Sequence, residues 1–387
     1  MSVEHNFNNL NDDREDSGSP ESPNEEQPTS DLTHELQASL ESRVQMKKHS
    51  RYERQIILKE IGREGQEKLD QSCVAVVGLG ALGSVSANLL ARAGIGKLIL
   101  IDRDFLEYSN LQRQVLYEEE DIKKNLPKAA AAERRLRLIN SQISIVGEVS
   151  DVTPKNIEEL LAGVDLVVDG TDNFETRFLI NDFSLFRRIP WIYGGAVRME
   201  GMSYVVMPDY PPCLRCLFGE VPQRDSMQTC DQVGILAPVA HLIASFQATE
   251  AIKILAEKTD QVDRKLWKVD IWNRHFKSFS VEHLKSTPCS GCAEGNFPYL
   301  NQALSSKATV LCGRNAVQIY EPRRDAIDLE RLAQKLSALT DVKTNPYLLH
   351  FYLDSIEMTV FKNGRAIIKG TENISQARSL YAQYIGS

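Results

Sequence analysis

The chain has no excess of positive charge, no long apolar run and few cysteines. Each shortage removes a class of protein. Its 45 lysines and arginines are outnumbered by 53 aspartates and glutamates, for a net charge of −8. A nucleic-acid binder more often presents a basic surface, so no nucleic-acid partner is expected. No apolar stretch reaches the ~20 residues that span a bilayer. No apolar signal segment opens the chain either. A soluble, cytoplasmic protein without a membrane partner is expected. Seven cysteines in 387 residues are too sparse for a disulfide framework. The histidines form no ligand cluster, and no internal repeat is visible. The length, by contrast, suffices for two domains and a large core.

What is present begins with one unit. The apolar run Cys73–Val77 leads into Gly78-Leu79-Gly80-Ala81-Leu82-Gly83, and Asp102 ends the next apolar run, Lys97–Ile101. This predicts a strand, a glycine turn, a helix and a second strand ending in a carboxylate. Such a unit seats a phosphate on helix N-terminal N–H groups and a ribose hydroxyl on the acid. A nicotinamide-dependent dehydrogenase is the default reading of that pattern. The run Ser109-Asn110-Leu111-Gln112-Arg113-Gln114 and Lys128 argue against it. Arg113 and Lys128 add two cations, which suit a triphosphate that must release pyrophosphate. Read singly, each would be a solvated surface charge.

Alternating patterns extend the unit. Strands are expected at 73–77, 97–101, 143–148, 164–169, 190–193 and 202–207, with helices at 83–94, 127–139, 154–162 and 174–187 between them. The fold class is therefore α/β, a Rossmann-like, mostly parallel sheet covered on both faces. A helix over 236–257, with Pro238 in its first turn, and strands at 266–271 and 275–281 follow. Asp169-Gly170-Thr171-Asp172-Asn173 ends a strand and opens a helix. Asp172 there suits Mg²⁺, while Asp172 or Asn173 equally suits a helix N-cap.

Three domains are expected. Residues 1–49, polar and acidic at their start, form a disordered or partly helical extension, with a short helix at 31–49. Residues 50–295 form the nucleotide domain, and a linker falls near 293–308. Residues 305–387 form a small α+β domain. In it Asp328 caps a helix with Leu329, Leu332, Leu336 and Leu339 on one side. Strands follow at 347–353 and 356–361, then an Asn363-Gly364 turn leading to Ala366-Ile367-Ile368, and a helix at 374–384.

The cysteines divide by spacing. Cys213-Leu214-Arg215-Cys216 and Cys289-Ser290-Gly291-Cys292 are two C-x-x-C knuckles set in proline turns. Four thiolates make a closed structural Zn²⁺ site; a redox pair and simple core packing are the alternatives. Cys230 lies alone in a polar stretch and suits a nucleophile or a persulfide carrier. Cys73 is expected in the core, and Cys312 carries no assigned role. His241 is expected to pack rather than to ligate.

Taken together, residues 51–292 resemble the ThiF/MoeB adenylyltransferases, relatives of the ubiquitin-activating enzymes. The resemblance rests on Arg51-Tyr52-Glu53-Arg54-Gln55, Gly78–Gly83, Asp102, Ser109–Gln114, Pro127-Lys128, Thr171-Asp172-Asn173, Gly194–Gly201, both knuckles and Thr229-Cys230, in the family's order. It implies ATP, Mg²⁺ and Zn²⁺. It also implies a ubiquitin-like sulfur carrier, of ThiS or MoaD type, whose C-terminal Gly-Gly is adenylated before thiocarboxylate formation. Gly78, Gly80 and Gly83 would approach the nucleotide, and Asp102 would hold the ribose. Ser109, Asn110, Leu111, Gln112, Arg113, Lys128 and Asn173 would line the nucleotide, and Asp172 would hold Mg²⁺. Arg54 would reach the phosphates from the partner subunit of a homodimer. Cys230 would pair with the carrier, and Cys213, Cys216, Cys289 and Cys292 would bind zinc. Residues 309–387 lack a rhodanese loop, so a separate sulfur donor, a cysteine desulfurase or a rhodanese, is expected. A zinc-stapled nucleotide-binding module without catalysis is the alternative from another class.

Overall fold

The apolar run Cys73–Val77 lies inside an eight-stranded sheet, and both faces of that sheet are built around it. The computed structural model describes residues 50–219, 233–286, 288–301, 308–311, 315–320 and 326–386, and Tyr52–Ser387 forms one unit. The strands are β1 (Cys73–Val77), β2 (Lys97–Ile101), β3 (Ser144–Glu148), β4 (Leu166–Asp169), β5 (Trp191–Val197), β6 (Glu200–Val206), β7 (Leu266–Asp270) and β8 (His275–Phe279). Their spatial order is β3-β2-β1-β4-β5-β6-β7-β8. From β3 to β5 all pairs are parallel. The last three strands join antiparallel, extending the same sheet.

Strand alternation sorts the core into two layers. Val74, Val76, Leu98 and Leu100 pack against the helix Ala81–Ala93 and against Ala248 and Ala251 of the helix Ala237–Leu255. Ala75, Val77, Ile99 and Ile101 face the other way, onto Phe178, Leu179 and Phe183 of the helix Phe174–Arg187. The helix expected at 154–162 is one turn, Ile157–Leu160. Two further helices, over 50–56 and Gly62–Gln71, precede β1; the second buries Gly65, Gln66 and Leu69 and has only one large apolar side chain, Leu69, on that face.

A second sheet comprises β9 (Ala308–Leu311), β10 (Ala316–Tyr320), β11 (Val342–Thr344), β12 (Leu348–Leu353), β13 (Ile356–Phe361) and β14 (Arg365–Lys369). It is antiparallel throughout, in the order β11-β12-β13-β14-β10-β9. Asp328 caps the helix Leu329–Leu336 by accepting from Arg331 N–H at 3.0 Å, and Leu329, Leu332 and Leu336 are buried. Leu339 is 66% exposed, because the helix ends before it. The Asn363-Gly364 turn closes β13 onto β14, with Gly364 at φ +85°. Asn373 caps the helix Ile374–Tyr384 through Ser375 and Gln376 N–H. The expected N-terminal extension, Cys230, Cys312 and residues 302–307 of the expected linker lie outside the described residues; within the same linker, Pro298–Asn301 forms a helical turn.

Candidate nucleotide site and thiol cluster

The glycine turn is held by contacts that only glycine permits. Gly78 stands at φ +83°, and its N–H continues the ladder to the Ile101 carbonyl at 2.8 Å. A Cβ on Gly83 would lie 1.8 Å from the Gly78 carbonyl oxygen. These two glycines let the helix start close against the strand end. Gly80 differs. It is the N-cap of the helix Ala81–Ala93, no side chain caps that end, and a Cβ there would meet only the Gln114 amide at 3.9 Å. The turn therefore leaves open space beside unsatisfied helix N–H groups, which is where an anion binds.

Asp102 completes the turn. Its carboxylate accepts from Leu79 N–H and from Asp104 N–H, each at 2.7 Å. Burial pushes this carboxyl above its ordinary range; Lys128 opposes that and Asp104 adds to it. One lone pair on each oxygen remains for a ribose hydroxyl. Lys128 opens the helix Lys128–Ile139, is buried, and reaches Asp104 at 3.3 Å. Tyr117 hydroxyl donates to the Leu79 carbonyl at 2.8 Å and pins the turn from below.

The polar run 109–114 has a mixed fate. Asn110 is buried and accepts from Glu107 N–H at 3.0 Å. Arg113 lies partly exposed and donates to the Ser109 carbonyl at 2.7 Å. Ser109 and Gln112 are exposed, and Leu111 packs on the core. Gln114, which the sequence did not single out, is 3% exposed, and its buried Oε1 has no hydrogen-bond partner. That orphaned acceptor beside Gly80 fits a bound donor such as a nucleotide hydroxyl or amine.

The loop after β4 is built by a pair that sequence reasoning missed. Asp169 is fully buried and meets Arg177 Nε at 3.0 Å. Arg177 also donates to the carbonyls of Thr171, at 2.6 Å, and Gly194, at 3.0 Å. Thr171 N–H and hydroxyl both donate to Asp169 Oδ1. Burial raises the Asp169 carboxyl, against Arg177, Thr171 and the Gly194 N–H. Asn173 is the N-cap of the next helix, accepting from Thr176 N–H at 2.8 Å. Asp172 is therefore not the cap; it is exposed, within electrostatic reach of Arg103 and Arg177. An exposed carboxylate at a strand's carboxyl end suits Mg²⁺. Arg54 is exposed on the helix 50–56.

The four knuckle cysteines converge. Their sulfurs all lie within 4.8 Å of one another, with Cys213–Cys216 and Cys213–Cys289 at 3.8 Å and Cys216–Cys292 at 3.5 Å. Zn–S bonds of about 2.3 Å give tetrahedral S···S edges of about 3.8 Å, so the set fits Zn²⁺. Arg215, inside the first knuckle, donates to Ser290 in the second at 3.0 Å and to Asp182 at 2.9 Å. Cys73 is only half-buried, at the strand's start, and burial raises its thiol.

A Rossmann-like sheet, a glycine turn, an acid at the next strand end and a four-thiol staple define a nucleotide-binding α/β protein. The chain belongs to the ThiF family, whose model matches residues 52–291. It is similar to the sulfur carrier protein ThiS adenylyltransferase of Bacillus subtilis, 44% identical over 338 residues, covering 87% of this chain and 99% of that protein. It also resembles the SAMP-activating enzyme E1 of Haloferax volcanii, 38% identical over 245 residues, covering 63% of this chain and 89% of that one. Among solved structures, E. coli MccB with MccA-N7isoASN superposes with a TM-score of 0.54 at 25% identity, covering 62% of this chain and 74% of that one. No described helix is long and apolar enough to cross a membrane.

Proposed function

We propose that this protein uses MgATP to adenylate the C-terminal glycine of a ubiquitin-like sulfur carrier, of ThiS or MoaD type, for thiamine or molybdopterin biosynthesis. The observation that carries the reading is the likeness, along nearly the whole length of that protein, to the Bacillus ThiS adenylyltransferase. The uncapped helix start at Gly80 and the orphaned Gln114 acceptor support it.

In the reaction, an oxygen of the carrier's terminal carboxylate attacks the α-phosphorus of ATP. A carboxyl–phosphate bond forms, the bond between the α- and β-phosphates breaks, and pyrophosphate leaves. No proton need move, so charge neutralisation and in-line positioning dominate. Asp102 holds the ribose. Asn110, Arg113 and Lys128 meet the phosphates, and Arg54 of a second copy reaches them from outside. Asp172 holds Mg²⁺, which neutralises the phosphate charge. The four thiolates hold a structural Zn²⁺. Cys230, charged as a persulfide by a separate sulfur donor, would attack the carrier's acyl adenylate through its outer sulfur; an acyl disulfide forms, the acyl–phosphate bond breaks and AMP leaves. Sulfur arrives from a separate donor, a cysteine desulfurase or a rhodanese.

ATP–pyrophosphate exchange with radiolabelled pyrophosphate tests this. Exchange is expected only with a Gly-Gly carrier present. Arg113→Ala and Asp172→Ala should each lower it by roughly 100-fold or more while the protein stays folded. Wild-type exchange by both variants would sink the site assignment. Absence of exchange with every carrier tried, in protein that is zinc-loaded and dimeric, would point to the non-catalytic module.

A further inference from the structure

The second sheet has two unlike faces. Phe351, Met358, Val360, Ala366 and Ile368 lie in the apolar cluster that includes Leu332 of the helix Leu329–Leu336 and Tyr381 of the helix Ile374–Tyr384. By strand alternation Gln318, His350, Thr359, Arg365 and Lys369 point the other way. In a small α+β domain such a polar face would meet water. Here Arg365 is 1% exposed, Thr359 2% and Gln318 8%. Phe105 and Val149 of the nucleotide unit pack on Ala316, Leu348, Phe361 and Ile367 of this face.

Arg365 goes deepest. It donates through Nη2 to the Arg103 carbonyl and through Nη1 to Gln318 Oε1 at 3.4 Å, and it stacks on the Phe361 ring at 3.7 Å. Gln318 in turn reaches Asp151 at 3.4 Å, and Arg103 meets the same carboxylate at 3.0 Å. Burial pulls the Arg365 guanidinium down to about 10, with Asp151 opposing, so it stays charged at neutral pH. Arg103 is flanked by Asp102, which closes on the glycine turn, and by Asp104, the partner of Lys128. Two further contacts grip the same loops. Lys369 meets Glu107 at 2.5 Å, and Asn345 donates to the Asn125 carbonyl at 2.7 Å, just before Pro127-Lys128.

A buried guanidinium carries a desolvation cost that an apolar side chain of similar volume would not. What the charge adds here is a fixed bond to one backbone carbonyl, between the two acids of the turn. We propose that Arg365 is a positioning residue for the nucleotide: it holds the 102–104 loop in register, so the second sheet sets the affinity for ATP. The proposal rests on reading Asp102 and Lys128 as nucleotide contacts.

The test uses the full chain, with ATP binding measured by calorimetry and KM and kcat by carrier-dependent exchange. Arg365→Met is expected to weaken ATP binding and raise KM about tenfold, with kcat within about threefold. Arg365→Lys, which keeps the charge and one donor, should recover most of that loss. Leu332→Ala, on the helix-facing side, should lower the melting temperature and leave ATP affinity unchanged. Equal loss in Leu332→Ala and Arg365→Met, or none in Arg365→Met, overturns the proposal. Asp102→Asn runs alongside. Wild-type ATP binding by that variant overturns the nucleotide reading, and the proposal with it. Weak binding by Asp102→Asn beside normal binding by Arg365→Met overturns the proposal alone. Where Arg365→Met does not fold, Lys369→Gln decides: about threefold weaker ATP binding supports the proposal, and unchanged binding ends it.

Discussion

At the scale of single residues, the pair Asp169–Arg177 governs the loop that carries Asp172. Both side chains are buried, and between them they engage Thr171 and Gly194. Removing one partner leaves an uncompensated charge inside the protein, which costs about 3–5 kcal/mol. Arg177→Met is expected to lose stability of that order in urea denaturation. Asp169→Asn combined with Arg177→Met should recover at least half, because the buried charge is then gone and the substituted amide still accepts from Thr171. A double variant as unstable as the single would show that Arg177 acts by packing on Phe174 and Tyr193, whose rings it covers at 5.2 and 5.1 Å. Neither residue was legible from sequence: Asp169 reads as a strand end and Arg177 as one more charge on a helix. Their partnership depends on β4 and the following helix meeting β5 in space. Gln114 was legible only as a member of a polar run, since its burial and its orphaned acceptor depend on how the chain packs around it.

At the scale of elements, legibility followed the strand pattern more than burial. Strands β1, β2 and β4 are largely buried apolar runs, β8 is exposed throughout, and each of β1 to β8 lies within a few residues of its expected place. The second sheet was harder. β10 and β11 are short and neighbour charged segments, and the polar face of β14 reads as solvent-facing because its cover comes from far along the chain. The thiol knuckles were legible because metal geometry demands a spacing that packing does not. Their setting was not: Arg215 bridges to Ser290 and Asp182, so the knuckles are joined by protein contacts as well as by sulfur. Stripping the metal with a chelator is expected to lower the melting temperature by roughly 10 °C or more, with one zinc per chain lost by elemental analysis. Cys289→Ser should reproduce that shift without chelator. Zinc-free protein that melts unchanged would mean the four thiols merely pack.

At the scale of the whole molecule, the remaining question is where Arg54 acts. The residue is exposed on the first described helix, and the cations proposed for the phosphates are two others, Arg113 and Lys128. If Arg54 serves the site of a second copy, each site of a symmetric dimer is assembled from two chains. Two inactive variants then complement each other. In a mixture of Arg54→Ala and Asp172→Ala, a mixed dimer has one site with Asp172 from the first chain and Arg54 from the second, both intact. Its other site lacks both groups. Random reassortment makes half of all dimers mixed, so about a quarter of wild-type exchange should return. The measurement is carrier-dependent exchange after the two variants are incubated together long enough to trade subunits, against each variant alone. A return near a quarter assigns Arg54 to the partner's site. Failure to return, with subunit exchange verified by a tagged copy, would put Arg54 in its own chain's site and leave each protomer complete by itself.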